Sequence, residues 1–144
     1  MTKKELFNRL VLHMLAQGRP AKHPTLNRRY RIQVERTVLK SPLGFIIPDQ
    51  LYSQDMEDMS VQEVLDIIDK GELYKQYIEL LVLLQGAHAN PSYEDENCKH
   101  FISILDSIAL TCKIDTKLLT QFYEVTAWKV AKEKARKIQK QLGY

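Results

Sequence analysis

Apolar residues recur at helical spacing in one segment after another of this 144-residue chain, and most of the segments carry their own start and stop signals. In the first, Leu6, Leu10 and Met14 run beside Phe7, Val11 and Leu15, between Thr2-Lys3-Lys4-Glu5 and Gly18. Steps of three and four residues put such side chains on one helix face. The Thr2 hydroxyl can bond a free N–H while Glu5 reaches back as a capping box, and Gly18 supplies the left-handed stop. A helix is predicted over 3–17.

The same reading applies further along. Ser60-Val61-Gln62-Glu63 is a second capping box, opening a helix of Val61, Val64, Leu65, Ile67 and Ile68 that stops at Gly71. The next helix, 72–85, is apolar on several sides and is expected to be central, with Gly86 ending it and Asn90-Pro91 marking a turn. A fourth covers 93–111, with Phe101, Ile104, Leu105 and Ile108 as its inner face. Asp115 is expected to cap a last helix over 116–142, about 40 Å long at 1.5 Å per residue. Its stripe of Leu118, Phe122, Val125, Trp128, Ala131, Ala135, Ile138 and Leu142 repeats near the coiled-coil spacing. Past Trp128 the stripe thins to alanine while Lys129, Lys132, Lys134, Arg136, Lys137 and Lys140 accumulate, so 129–144 reads as a basic helical extension.

Residues 18–47 break the helical rhythm. The stretch GRPAKHPTLNRR is a loop by its prolines and charges. Tyr30, Ile32 and Val34 then alternate with Arg31, Gln33 and Glu35, the period of a half-buried strand. Val38-Leu39 and Leu43-Gly44-Phe45-Ile46-Ile47 are expected to return as its partner, although Arg36-Thr37 is not a tight-turn signal. Pro48 suits a first helical position, followed by a short turn over 49–52. The expected fold is mainly α (α+β): a single domain over 1–144, with about five helices, one small β-hairpin near residues 30–47 and a long C-terminal helix.

With 44% hydrophobic residues and only five glycines and five prolines, the chain can bury a core without staples. No apolar export segment follows the basic start, and Leu80–Leu84 is too short to cross a bilayer. A cytoplasmic protein with reduced Cys98 and Cys112 is therefore expected. The net charge of +3 conceals strong segregation. Ten Lys/Arg face two acids in 1–47, thirteen acids face three lysines in 48–112, and eight Lys/Arg face three acids in 113–144. Such asymmetry suits either an anionic partner or elements that complement one another.

Three pieces of the chain form a further pattern: Lys3-Lys4-Glu5-Leu6-Phe7 leading to Gln17-Gly18; Arg29-Tyr30-Arg31, with Leu39-Lys40 and Gly44-Phe45-Ile46-Ile47-Pro48-Asp49-Gln50-Leu51-Tyr52; and Leu83-Leu84-Gln85-Gly86-Ala87-His88. Over about residues 2–112 this resembles a family of small bacterial and phage or prophage proteins. Members read Tyr-Arg-Gly-Pro-Asp-Gly, then Cys-Ala-Val-Gly, Leu-Ile-Pro-Asp with a following Tyr, and later Leu-Gln…His. Here the Gly-Pro-Asp-Gly turn is replaced by Ile32–Val38, and the Cys-Ala-Val by Ser41-Pro42-Leu43. The resemblance implies a bacterial or phage-infected setting and no activity.

No chemistry-bearing motif stands out. His88, Cys98, His100 and Cys112 lack zinc-site spacing, and Cys98 and His100 do not share a helix face. Asp55, Glu57 and Asp58 lie in a link expected to be solvated, His13 is expected on the surface of the first helix, and no nucleophile motif or phosphate loop occurs. No catalytic residue, metal or cofactor is assigned. Arg28, Arg29, Tyr30 and Arg31 place cations beside an aromatic ring, which suits a partner or nucleic acid. Lys129, Lys132, Arg136, Lys137 and Lys140 mark a basic amphipathic helix that can dock an acidic groove, a partner helix or an anionic membrane, the last only feebly because its apolar face is alanine-rich. Ile138 and Leu142 are candidates for self-association into a homo-oligomer. The expectation is a non-enzymatic interaction protein that binds a bacterial protein partner, with nucleic-acid binding as the alternative.

Overall fold

The computed structural model describes residues 1–23 and 27–144, so Pro24, Thr25 and Leu26 of the basic loop lie outside the described residues. The elements run α1 (Lys3–Gln17), β1 (Arg31–Val34), β2 (Thr37–Lys40), α2 (Pro42–Ile46), α3 (Val61–Ile68), α4 (Ile78–Ala89), α5 (Lys99–Thr111) and α6 (Trp128–Leu142), with four short 3-10 turns between them. The fold is thus mainly helical with one antiparallel hairpin. No helix among the described residues is long and apolar enough to cross a membrane.

Helix α1 starts and stops as its sequence dictates. Thr2 accepts the Glu5 N–H, and Gly18 takes φ 73° with its N–H on the Met14 carbonyl. It is the most deeply buried helix, while α4 packs against α1, α2, α3 and α5 as a central helix would. Leu6, Phe7, Leu10, Val11, Leu12, Met14 and Leu15 are all buried, whereas Val82 and Gly86 of α4 face outward. Tyr93, buried beneath α1, donates its hydroxyl to the Met14 carbonyl at 2.5 Å and stacks on Phe101 with ring centroids 4.3 Å apart.

Several expected boundaries move, each for a physical reason. The hairpin closes through Glu35-Arg36, with Val34 paired to Thr37 and Glu35 at φ 55°. Leu43–Ile47 is not a strand. Ser41 caps it by accepting the Gly44 N–H, Pro42 occupies the first turn, and the apolar run coils as α2. The expected alternation holds for Ile32 and Val34, which are half-buried with Ile32 paired to buried Leu39, while Gln33 is exposed; the exception is Arg31, which is buried. The α3 capping box forms in full. Its helix ends at Ile68 because Asp69 turns its carboxylate forward onto the N–H groups of Leu73, Tyr74 and Lys75 at 2.7–2.8 Å. That delays α4 to Ile78.

Gly86 does not terminate α4, which continues to Ala89. A Cβ at Gly86 would meet nothing within 4 Å. Gly86→Ala is therefore expected to stabilise the protein by about 0.5–1 kcal/mol, read as a higher urea midpoint.

The expected last helix divides. A 3-10 turn holds Leu118–Phe122, and α6 begins only at Trp128. Between them the Thr126 carbonyl accepts the Cys98 N–H at 2.9 Å, and Ala127 bridges to Asn97, which diverts the backbone from helical bonding. Thr116 rather than Asp115 supplies the local cap, accepting the Leu118 N–H at 3.2 Å. Helix α6 is no projecting extension: it lies along α1, with Ala131, Ala135 and Ile138 buried. The alanines give the small side chains that let two helix backbones approach closely.

Candidate functional site

The basic residues of the hairpin are held by the fold. Buried Arg31 donates from Nε to the Gly44 carbonyl at 3.0 Å, from Nη1 to Asp49 at 2.8 Å and from Nη2 to the Ile47 carbonyl. Its guanidinium lies 5.0 Å from the centre of the Tyr52 ring. The Arg31 bond, with Lys40 nearby at 3.8 Å, holds the Asp49 carboxyl below the usual carboxylate range. Glu57 accepts the backbone N–H groups of Tyr30 and Arg31 at 2.7 and 3.1 Å and the Tyr52 hydroxyl at 2.6 Å. Burial and that carboxylate push Tyr52 up to about 12. The Tyr30 hydroxyl donates to the Met59 carbonyl.

Outside this hub, Arg28 pairs with Glu94 at 3.0 Å beside Lys22 at 3.3 Å, and Arg29 donates to Gln54 at 2.5 Å. Glu57 is thus engaged, against the expectation of a free carboxylate in a solvated link. Residues far apart in the sequence meet in this network: Tyr30, Arg31, Gly44, Asp49 and Tyr52 directly. Gln85 joins by accepting the Leu43 N–H at 2.8 Å, and His88 by accepting the Ala21 N–H at 2.9 Å. Their shared work is to hold loop, hairpin and α2 against the helices.

Both internal histidines are neutral. His88 is fully buried, and since its Nε2 accepts a hydrogen bond, the proton sits on Nδ1. Burial lowers it to about 3, with Arg28 adding to the effect. His13, expected on the surface of α1, is half-buried. Its Nε2 donates to the Lys40 carbonyl at 2.8 Å, and its ring stacks on Phe45 at 4.4 Å. Burial lowers it to about 4 even though the Lys40 bond favours the charged form.

Beside His13 lies a concavity of about 550 Å³ between α1, β2 and α6, lined by Gln17, Arg19, Thr37, Lys132, Arg136 and Gln139 among others. No carboxylate lines it. Gln17 fixes the floor, accepting the Lys40 N–H at 2.8 Å and donating to the carbonyls of Lys40 and Arg19 at 3.0 and 2.8 Å. The Lys132 stem lies over the Gly18 turn, so close that a Cβ on Gly18 would come within 2.3 Å of Lys132 Cδ. Among the described residues, none of the Arg19, Lys132 and Arg136 side chains has an ion-pair or hydrogen-bond partner.

Lys129, Lys137 and Lys140 are exposed along the same helix. Lys134 instead donates to the Gln121 carbonyl at 2.7 Å. Ile138 is buried in the core, so of the self-association pair only Leu142, 51% exposed, is presented to solvent. The structure therefore unites two sequence-marked cations of α6, Lys132 and Arg136, with Arg19 of the basic loop. Arg19 directly follows the Gly18 stop, a position that aims it past the end of α1, but nothing in the sequence placed it beside α6.

The histidine and cysteine side chains considered for a metal lie apart in their roles. His88 is inside the core, Cys98 and Cys112 are buried at opposite ends of α5, and His100 is exposed. No family model, curated protein or solved structure matches the chain.

Proposed function

We propose that the protein is a non-enzymatic interaction protein, acting in the cytoplasm of a bacterial or phage-infected cell, that docks an acidic surface of a bacterial protein partner. The observation that supports this reading is the split among its cations. Arg28, Arg29 and Arg31 are bonded within the chain, whereas Arg19, Lys132 and Arg136 share a concavity without partners and Lys129, Lys137 and Lys140 continue the charge along α6. Unpaired cations on a fixed helix give steering and register to an acidic partner.

Affinity capture from bacterial lysate tests the reading. A partner retained by the natural chain should elute with rising salt and lose at least about tenfold in affinity to a Lys132→Glu/Arg136→Glu/Lys137→Glu variant of unchanged melting temperature. Equal retention by the variant contradicts the reading. Nucleic acid is the second partner these cations suit, because Arg19 links the concavity to a neighbouring one and a phosphate backbone could follow both. That reading requires a mobility shift at low salt that weakens steeply as salt rises.

A further inference from the structure

We propose that the concavity between α1, β2 and α6 is a binding site for a small phosphate monoester of nucleotide size. Its phosphate would sit among Arg19, Lys132 and Arg136, and its uncharged body would lie over Leu39. This rests on the reading of that face as an anion-binding surface, and it names the chemical class of one ligand there.

Three observations carry it. First, three unpaired cations line one concavity with no carboxylate among them, and like charges held together are relieved by a shared anion. Guanidinium groups match phosphate oxygens two at a time, and a lysine adds a point charge.

Second, the wall is built before any ligand arrives. The Lys132 stem is packed over Gly18, Gln17 is tied to Lys40 by two hydrogen bonds, and His13 is tied to the same residue by a third. A pre-arranged wall lowers the ordering cost of binding.

Third, Arg19 and Leu39 also line an adjoining concavity of about 420 Å³, whose other walls include Pro20, Val34 and Tyr93, with Lys22 and Glu94 at its polar edge. A cationic pocket beside a more apolar one suits a ligand with a charged head and a flatter, less polar body. Both volumes fall in the range typical of small-ligand sites. Inorganic phosphate satisfies the head alone, so the two sources of the same chemistry separate by whether the body adds affinity.

Isothermal titration of the full chain with adenosine monophosphate, adenosine, inorganic phosphate and polyglutamate tests the site. Adenosine monophosphate should bind in the micromolar to millimolar range, adenosine should not, and phosphate should compete more weakly than the ester. Arg19→Gln/Arg136→Gln should weaken the ester by about tenfold or more. Arg136→Gln alone, at an exposed helical position, serves if the double variant melts early. Failure of the ester to bind, equal binding of adenosine, or equal affinity of the variant overturns the proposal. If phosphate binds as tightly as the ester, the body subsite is wrong. Polyglutamate bound without the ester would sink this inference and leave the acidic-partner reading standing, whereas no binding of either would count against both.

Discussion

A Gly44→Ala chain is expected to lose most of its folded population. The new methyl carbon would stand 1.9 Å from the Tyr30 carbonyl oxygen, far inside any tolerated contact, and the obstacle is backbone. Tyr30 cannot retreat cheaply. Its carbonyl accepts the Ser41 N–H at 2.9 Å, its N–H is on Glu57, and its hydroxyl is on the Met59 carbonyl. Nor can α2 shift alone, because the Gly44 carbonyl accepts from buried Arg31.

Displacing that assembly should cost about 4 kcal/mol or more, a large share of the roughly 5–15 kcal/mol that stabilises a domain. Arg31→Met should cost about 3 kcal/mol or more by a different route. It leaves the carbonyls of Gly44 and Ile47 without their donor in a buried place. Urea unfolding followed by circular dichroism checks both. A midpoint for Gly44→Ala close to that of the natural chain would mean that the Tyr30–Gly44 contact is not the constraint described.

Acid should weaken the fold well above the range in which ordinary carboxylates titrate. In the unfolded chain both His13 and His88 take up a proton near their ordinary value of 6.5, whereas in the folded chain they stay neutral down to about 4 and about 3. Between those limits the unfolded state binds more protons, so stability rises with pH and is lost as pH falls. The slope reaches about 1.4 kcal/mol per pH unit for each histidine, discounted for His13 because its ring is only half-buried. The loss begins below about pH 6.5 and continues to about pH 3, where folded His88 takes up its proton, amounting to several kcal/mol on an order-of-magnitude scale.

His88→Gln can keep an acceptor for the Ala21 N–H while removing one of the two titrations. It should flatten the pH dependence of the urea midpoint by about half or more, because His88 is the deeper of the two. A midpoint that stays level from about pH 7 to about pH 4.5 in the natural chain would show that neither imidazole is held neutral by the fold.

These two cases mark where the sequence speaks and where it falls silent. Helix α1 and the Ser60 capping box were legible because their signals are local: a cap, a period and, for α1, a terminating glycine. The run Leu43–Ile47 was ambiguous by nature, since a short apolar dash suits a strand or a helix equally. Ser41-Pro42 in front of it was the decisive sign, and it points to a helix. Gly86 misled because a glycine can end a helix or sit within one, and only the surrounding packing decides.

Arg31 was harder still. Its partners include two main-chain carbonyls 13 and 16 residues away, presented by a helix the hydropathy pattern did not predict. Its charge reads as solvated until that helix is in place. The candidate site shows the same division. Lys132 and Arg136 were visible as a charge run on one helix, but Arg19 joins them only because the small Ala131 and Ala135 side chains let α6 settle along α1.

The hairpin arginines are bonded within the fold, and we propose that the cations of α6 and Arg19 serve a partner. The most direct test of this division extends the lysate capture to two variants of matched charge loss, Arg29→Gln and Arg136→Gln, compared at equal melting temperature. The partner's affinity should be unchanged by Arg29→Gln and fall severalfold with Arg136→Gln. Equal losses from the two, or a loss confined to Arg29→Gln, would contradict it.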